Sequence, residues 1–279
     1  MNPSQQIQGW KIHHQEQLIY QSNSGNPLLK LKFFHYPHYR QEVVIEKFPE
    51  RCVLKTKKNN SFFVFHHKVR TKGIISLERI INVRPTPSAI SLQEDWGKIT
   101  DFPKTLQRKY QQSFRYWPIS TTLIDRVATE DWFTHDDLSN WVSSAYRYIR
   151  QTIRFPENQE KRLGAEQAMI TGVGDCDEFT DLFVTLARYR GIPSRRLTGY
   201  VIKTKNDVEP HAWGEVLSPK LGWIPVDAAL NKIGVHGIPY VIVKIEEFNP
   251  SLSDYDVQSS KASKMHFHWV RPLPIVTPI

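Results

Sequence analysis

The stretch that most constrains this chain is GVGDCDEFTDLFVTLARYRGIPSR, residues 172–195. Phe179, Leu182, Phe183, Leu186 and Ala187 recur at i, i+3, i+4, i+7 and i+8, which is one apolar face of a helix. Gly191-Ile-Pro193 stops that helix, Gly172 and Gly174 precede it, and Asp175 stands where an N-cap belongs. Cys176 therefore falls in the first helical turn. Free backbone N–H groups and the positive end of the helix dipole favour a thiolate there, so the position predicts a lowered thiol pKa.

A second helix is written before it. Leu138, Trp141, Val142, Ala145, Ile149 and Ile153 follow at spacings of three and four, which makes Trp141 and Tyr148 core residues rather than a ligand platform. Thr134-His-Asp-Asp137 resembles a capping box with Asp137 in place of the usual Glu. The front of the chain reads differently. Residues from about 17 to 84 read as strands, with short β-rich runs at 28–34, 41–48, 51–54 and 61–65 and a turn at 58–60. Cys52 reads as an ordinary strand residue among them. The proline-bearing segment 84–88 marks a boundary. The expected organisation is a β-rich, sandwich-like domain over residues 1–87, then a second domain over 88–279 with a C-terminal tail from about 250.

Strands return after the cysteine helix, at 197–203, 211–217 and 223–227, with 218–220 as a turn. A three-residue loop there would set Leu217 opposite Leu221, Glu215 opposite Trp223, Trp213 opposite Pro225 and His211 opposite Asp227. Directly opposed residues have Cβ atoms about 5 Å apart. A longer loop shifts this register by two, and the spacing leaves that choice open.

Composition excludes several function classes. The 279 residues are 40% hydrophobic and 12% aromatic, too apolar for wholesale disorder. The first residues, MNPSQQIQGWKIHHQEQ, contain no apolar core of a secretory signal, and no run approaches the ~20 apolar residues of a membrane helix. A cytoplasmic protein without a membrane partner is the expectation. Cys52 and Cys176 alone cannot build a disulfide framework or a four-ligand zinc site, and the eleven histidines show no HEXXH spacing. Neither a metal nor a cofactor is expected. The net charge of +9 is spread in short groups, so nucleic acid is not the expected main partner.

A cysteine at a helix start, a histidine on one strand and an aspartate on the next form a thiol-catalysis set. The words around them are more specific. "GVGDCDEFTDLFVTLARYRGIPSRRLTGY", "HAWGEV" and "GWIPVDAAL" together resemble the transglutaminase-like superfamily, over roughly residues 110–245. The resemblance implies an α+β, papain-like core, with the cysteine helix packed on an antiparallel sheet. In that frame Cys176 is the nucleophile, His211 the general base and acid, and Asp227 the orienting acid. The β-rich front is similar to the N-terminal β domain of bacterial members.

Other residues receive milder roles. Trp213 and Glu215 pack and hydrogen-bond around the histidine strand, Arg195 and Arg196 form structural ion pairs, and Asp175 and Asp177 cap the helix while opposing the thiolate. Members of the family commonly carry a tryptophan or tyrosine about twenty residues before the cysteine, donating to the oxyanion. Here that position is Phe155, which has no polar hydrogen. The Cys176 N–H remains one donor, and Asn158 or Gln159 is the candidate for the second. The resemblance implies a peptide or protein substrate and an acyl-enzyme on Cys176. Hydrolysis of peptide or glutamine-type amides is favoured over transfer to an amine, and a non-catalytic protein-binding module is the competing class.

Overall fold

Burial along the front of the chain follows a period of two. In a computed structural model, which describes residues 8–22, 28–68, 70–156, 161–250, 255–259 and 265–279, the strand β1 (Trp10–Ser22) buries every even position, from Trp10 to Ser22. It is joined by β2 (Leu28–His35), β3 (Gln41–Lys47), β4 (Cys52–Lys57), β5 (Asn60–Lys68) and β6 (Lys72–Pro85), and β7 (Ser88–Ala89) follows. The segments 28–34, 41–48, 51–54 and 61–65 fall on β2 to β5; β6 lies almost wholly within the 17–84 region read as strands, and β1 starts before it, at Trp10. Leu18, Leu29, Leu31, Phe63, Phe65 and Leu77 fill the space between the two sheets they form.

The helices come next: α1 (Lys104–Tyr110), α2 (Thr121–Val127), α3 (Leu138–Thr152), α4 (Ala165–Thr171) and α5 (Cys176–Tyr189). The apolar stripe on α3 and α5 lies where the periodicity put it. Trp141, Val142, Ala145, Phe179, Leu182 and Phe183 are buried in one core, and Tyr148 packs half-buried at its margin. Each large apolar side chain so enclosed contributes about 1.5–3 kcal/mol. One cap differs from expectation. Asp137, not Thr134, is the N-cap of α3, because its own side chain accepts the Asn140 N–H at 2.8 Å, while Thr134 ends a preceding 3-10 turn.

The remaining strands are β8 (Ser194–Thr204), β9 (Asp207–Ser218), β10 (Gly222–Asp227), β11 (Lys232–Ile233), β12 (Val235–His236), β13 (Tyr240–Glu246), β14 (Tyr255–Ser259), β15 (Met265–Val270) and β16 (Ile275–Pro278). An antiparallel sheet in the order β11-β10-β9-β8-β13 receives α5. The architecture is α+β, as the sequence implied.

The segment after residue 250 departs from expectation. It is no tail on the second domain: β15 and β16 pair with β1, and β14 pairs with β2, so the chain's end completes both sheets of its beginning. Two side-chain amides join front and rear. Gln41 bonds both the N–H and the C=O of Ile242 (2.9 and 2.7 Å), and Asn60 does the same to Ile245 (2.8 Å each). The backbone edge of β13 is thereby occupied as another strand would occupy it.

Candidate active site

Gly174 shapes the entry to α5. A Cβ there would lie 2.3 Å from the Glu178 Cβ, so only glycine allows the chain to pass. The buried Glu178 carboxylate accepts the N–H groups of Asp175 at 3.1 Å and Leu163 at 2.6 Å, while Asp175 accepts that of Asp177 at 2.8 Å. This capping box fixes the first turn and leaves the Cys176 amide outside the bonds it makes.

The backbone N–H of Ala212, the residue after His211, lies beside the Cys176 sulfur and favours its thiolate. The helix head therefore sits beside the histidine strand. Burial, then the carboxylates of Asp177 and Asp175, push the thiol up to about 12, against the Ala212 N–H and the Arg196 guanidinium. This corrects the lowered pKa expected at a helix start: desolvation and two neighbouring anions outweigh the dipole, so the resting sulfur is a thiol.

His211 and Asp227 meet directly, with Nε2 to Oδ2 at 2.7 Å and both side chains buried. That leaves Nδ1 as the other functional nitrogen of the ring. Asp227 is itself held by the Tyr240 O–H at 2.8 Å on Oδ2 and the Leu230 N–H at 2.9 Å on Oδ1. Burial and the Asp227 charge push the Tyr240 phenol well up, so it stays protonated and donates.

The expected strand register is corrected by two residues. Ser218 faces Gly222, Trp223 faces Leu217 and Pro225 faces Glu215. The loop is Pro219-Lys220-Leu221, because Ser218 Oγ accepts the N–H groups of Lys220 and Leu221 at 3.1 and 2.9 Å and donates to the Trp96 carbonyl at 2.7 Å. Gly222 closes it at φ +74°, a conformation that favours glycine. His211 and Asp227 thus meet diagonally rather than face to face.

The other expected residues divide. Trp213 is buried, its ring stacked 6.0 Å from His211 and tilted against Tyr240 at 5.1 Å, and its Nε1 has no acceptor among the described residues. Arg195 donates from Nε to Glu215 at 2.8 Å and lies 3.9 Å over the Trp223 ring. The Tyr39 O–H and Arg40 Nε reach the second Glu215 oxygen, each at 3.1 Å. Arg196 binds Asp177 at 2.5 Å, Glu246 at 3.0 Å and Asp181 at 3.3 Å. Both arginines are structural ties beneath the site. Phe155 is 57% exposed, stacked on Phe179 at 5.1 Å, and offers no donor. Asn158 and Gln159 lie outside the described residues.

Asp175, Cys176 and Asp177 bring one ligand atom each within 4.8 Å of one another, but Asp175 is engaged in the cap and Asp177 in the Arg196 pair. Sequence reasoning missed Tyr240, Leu230 and Ala212. The last two act through backbone N–H groups, which no residue type reveals. Tyr240 opens a run, YVIVKIE, whose only local signal is that of a buried strand.

No helix among the described residues is long and apolar enough to cross a membrane. The chain is 28% identical over 159 residues to the uncharacterized protein YebA of Bacillus subtilis (strain 168), a match covering 46% of this chain and only 21% of that protein. Its fold matches a crystal structure of a candidate cysteine protease from Cytophaga hutchinsonii with a TM-score of 0.59 and 15% identity, covering 97% of this chain and 98% of that one. Residues 124–228, which hold the cysteine, the histidine and the aspartate described above, match the transglutaminase-like superfamily; the chain contains a domain of that superfamily and has its fold.

Proposed function

We propose that this protein is a thiol enzyme that cleaves amide bonds of a peptide or protein, with Cys176 as nucleophile, His211 as general base and acid, and Asp227 as the group that orients the imidazole. The reading is carried by the 2.7 Å bond between His211 Nε2 and Asp227, on the strand whose Ala212 N–H lies beside the sulfur of Cys176 at the head of α5. With Nε2 engaged by Asp227, Nδ1 takes the thiol proton. Because the thiol is held high, proton transfer accompanies attack rather than preceding it.

The sulfur adds to the amide carbonyl and the carbonyl oxygen becomes an oxyanion, to which the free Cys176 amide donates. Collapse expels the amine, which takes its proton from His211, and leaves a thioester. Water, deprotonated by His211, hydrolyses the thioester to the carboxylic acid and returns the thiol. Asp227 and Tyr240 hold the ring in one orientation throughout.

The test is incubation with peptide libraries, with and without a primary amine, followed by mass spectrometry. Chain cleavage or release of ammonia with uptake of water, lost in Cys176→Ala and His211→Ala, is expected. Incorporation of the amine in place of water would assign transfer instead. Identical products from wild type and Cys176→Ala would remove the thiol mechanism.

A further inference from the structure

The sheet face that carries α5 continues past the helix head. Gly214 lies against the Phe183 ring, so its alternate neighbours Ala212 and Pro210 stand on that same face. Across from them on β8, Thr198 is opposite Ala212 and Tyr200 is opposite Pro210. Directly opposed residues have Cα atoms about 4.5–5.5 Å apart. The Ala212 N–H lies beside the Cys176 sulfur, which puts Thr198 within about two residues of extended peptide from the thiol. Thr198, Tyr200 and Pro210 floor a cavity of about 240 Å³. The sandwich supplies its other walls, with Glu16 from β1, Phe34 from β2 and Leu273 from the segment after β15. At ~30 Å³ per water, the space holds about eight waters, enough for one side chain.

Three charged side chains line this cavity, Lys244, Arg271 and Glu16, and the acid is already engaged. Glu16 accepts from Arg79 at 2.8 Å and lies 3.5 Å from Arg271. Lys244 lies 3.5 Å from Glu246, which Arg196 reaches at 3.0 Å. Arg196 also binds Asp177 and Asp181, and Asp181 holds Arg162. Together these groups set five cations against four carboxylates. One oxygen of Glu16 has no donor among the described residues, but two arginines already meet its charge. The His14 ring, 6.4 Å from that of Tyr200, is held well below its ordinary value by burial and then by Arg79 and Arg271. Such a place attracts an anion and repels a further cation.

We infer that this cavity is a subsite for a carboxylate of the substrate, bound by Lys244 and Arg271 while a neighbouring amide lies at Cys176. The inference rests on Cys176 being the nucleophile, and it narrows the substrate to peptides with a carboxylate close to the cleaved bond. An Asp or Glu side chain and a free C-terminus offer the same chemistry. The sandwich thereby takes part in recognition, since Glu16, Phe34 and Arg271 all come from it.

Calorimetric titration of Cys176→Ala tests the subsite without turnover. The probes are acetylated, amidated Ala–Ser hexapeptides carrying Glu, Gln or Lys at each position in turn, and the unsubstituted peptide as its free acid. Expected is at least about tenfold tighter binding of one Glu peptide than of its Gln counterpart, or of the free acid than of the amide. The first result assigns a side chain, the second a chain end. Adding Arg271→Gln, at an exposed residue, should abolish that preference at an unchanged thermal midpoint, and Lys244→Met should reduce it. Four results would overturn the subsite: no binding, equal binding of every carboxylate and its amide, a preference for Lys, or a preference that survives both substitutions. The same peptides incubated with the wild-type protein report the chemistry separately. Cleavage without preference sinks the subsite alone, and preference without cleavage sinks the thiol mechanism alone.

Discussion

In residues 1–87 most lysines, arginines and acids stand at the surface, and the burial of strands such as β1 alternates in the simplest way. Residues 88–279 balance their charges and bury several of them: Glu178, Asp181, Arg188, Arg195, Arg196, Glu215 and Glu246 are each 3% exposed or less. The front half is held chiefly by apolar burial. The rear half adds paired ions and carboxylates that take backbone N–H groups, all beneath or beside Cys176 and His211. Burying ions contributes little net stability but fixes geometry when every partner is present. The difference teaches where this molecule needs apolar mass and where it needs fixed positions.

The largest expected effect comes from breaking one buried pair. Glu215→Leu leaves the Arg195 charge inside the protein without its partner and should destabilise by ~3–5 kcal/mol. Lys47→Ala, at the exposed Lys47–Glu78 pair, should cost far less. Urea midpoints of the two variants measure the contrast, and equal losses would break it.

The front half has one exception to its apolar interior. His14, Glu16, Arg79 and His35 are buried there, with Arg79 bonded to Glu16 at 2.8 Å. Burial and the neighbouring Arg79 depress His35 to about 3 and hold His14 well below its ordinary value. Between that range and about 6.5 the unfolded chain binds protons that the folded chain refuses, so stability falls as pH drops below 6.5. For His35 alone this amounts to about 3 kcal/mol between pH 7 and pH 4. Thermal midpoints across that range should fall, and His35→Leu should flatten the slope; an unchanged slope would exclude His35 as its source.

A smaller effect is expected at the thiol. Asp177→Asn removes the stronger of the two neighbouring negative charges, lowers the Cys176 pKa and should speed its alkylation several-fold at neutral pH. Cys52, itself pushed up to about 11 by burial, should be unaffected. Peptide mapping after iodoacetamide treatment separates the two sites.

Least is expected from Phe155→Tyr. The ring is exposed, so the added hydroxyl meets water and stability should stay within about 0.5 kcal/mol of wild type. Turnover is the informative readout: a rise would place this ring at the oxyanion, and no change would leave it as a surface aromatic on Phe179.

Much of the rear half was legible because its signals are local. The stripes of α3 and α5, the glycine turn and the stop at Gly191 need only neighbours within a few turns. The pairing of β15 and β16 with β1 was not legible, since partners some 250 positions apart carry no shared local mark. The register of β9 and β10 was decided by one hydroxyl, on Ser218, rather than by the hydrophobic pattern. The height of the Cys176 pKa depends on burial, which only the packed structure specifies.

The central claim is that Cys176 carries the substrate's acyl group. Acid-quenched intact-protein mass spectrometry, performed with an amide peptide once turnover is found, tests it directly. The account predicts an adduct of the acyl fragment mapping to Cys176 and not Cys52, absent from Cys176→Ala. Turnover that persists in Cys176→Ala without any adduct would contradict it.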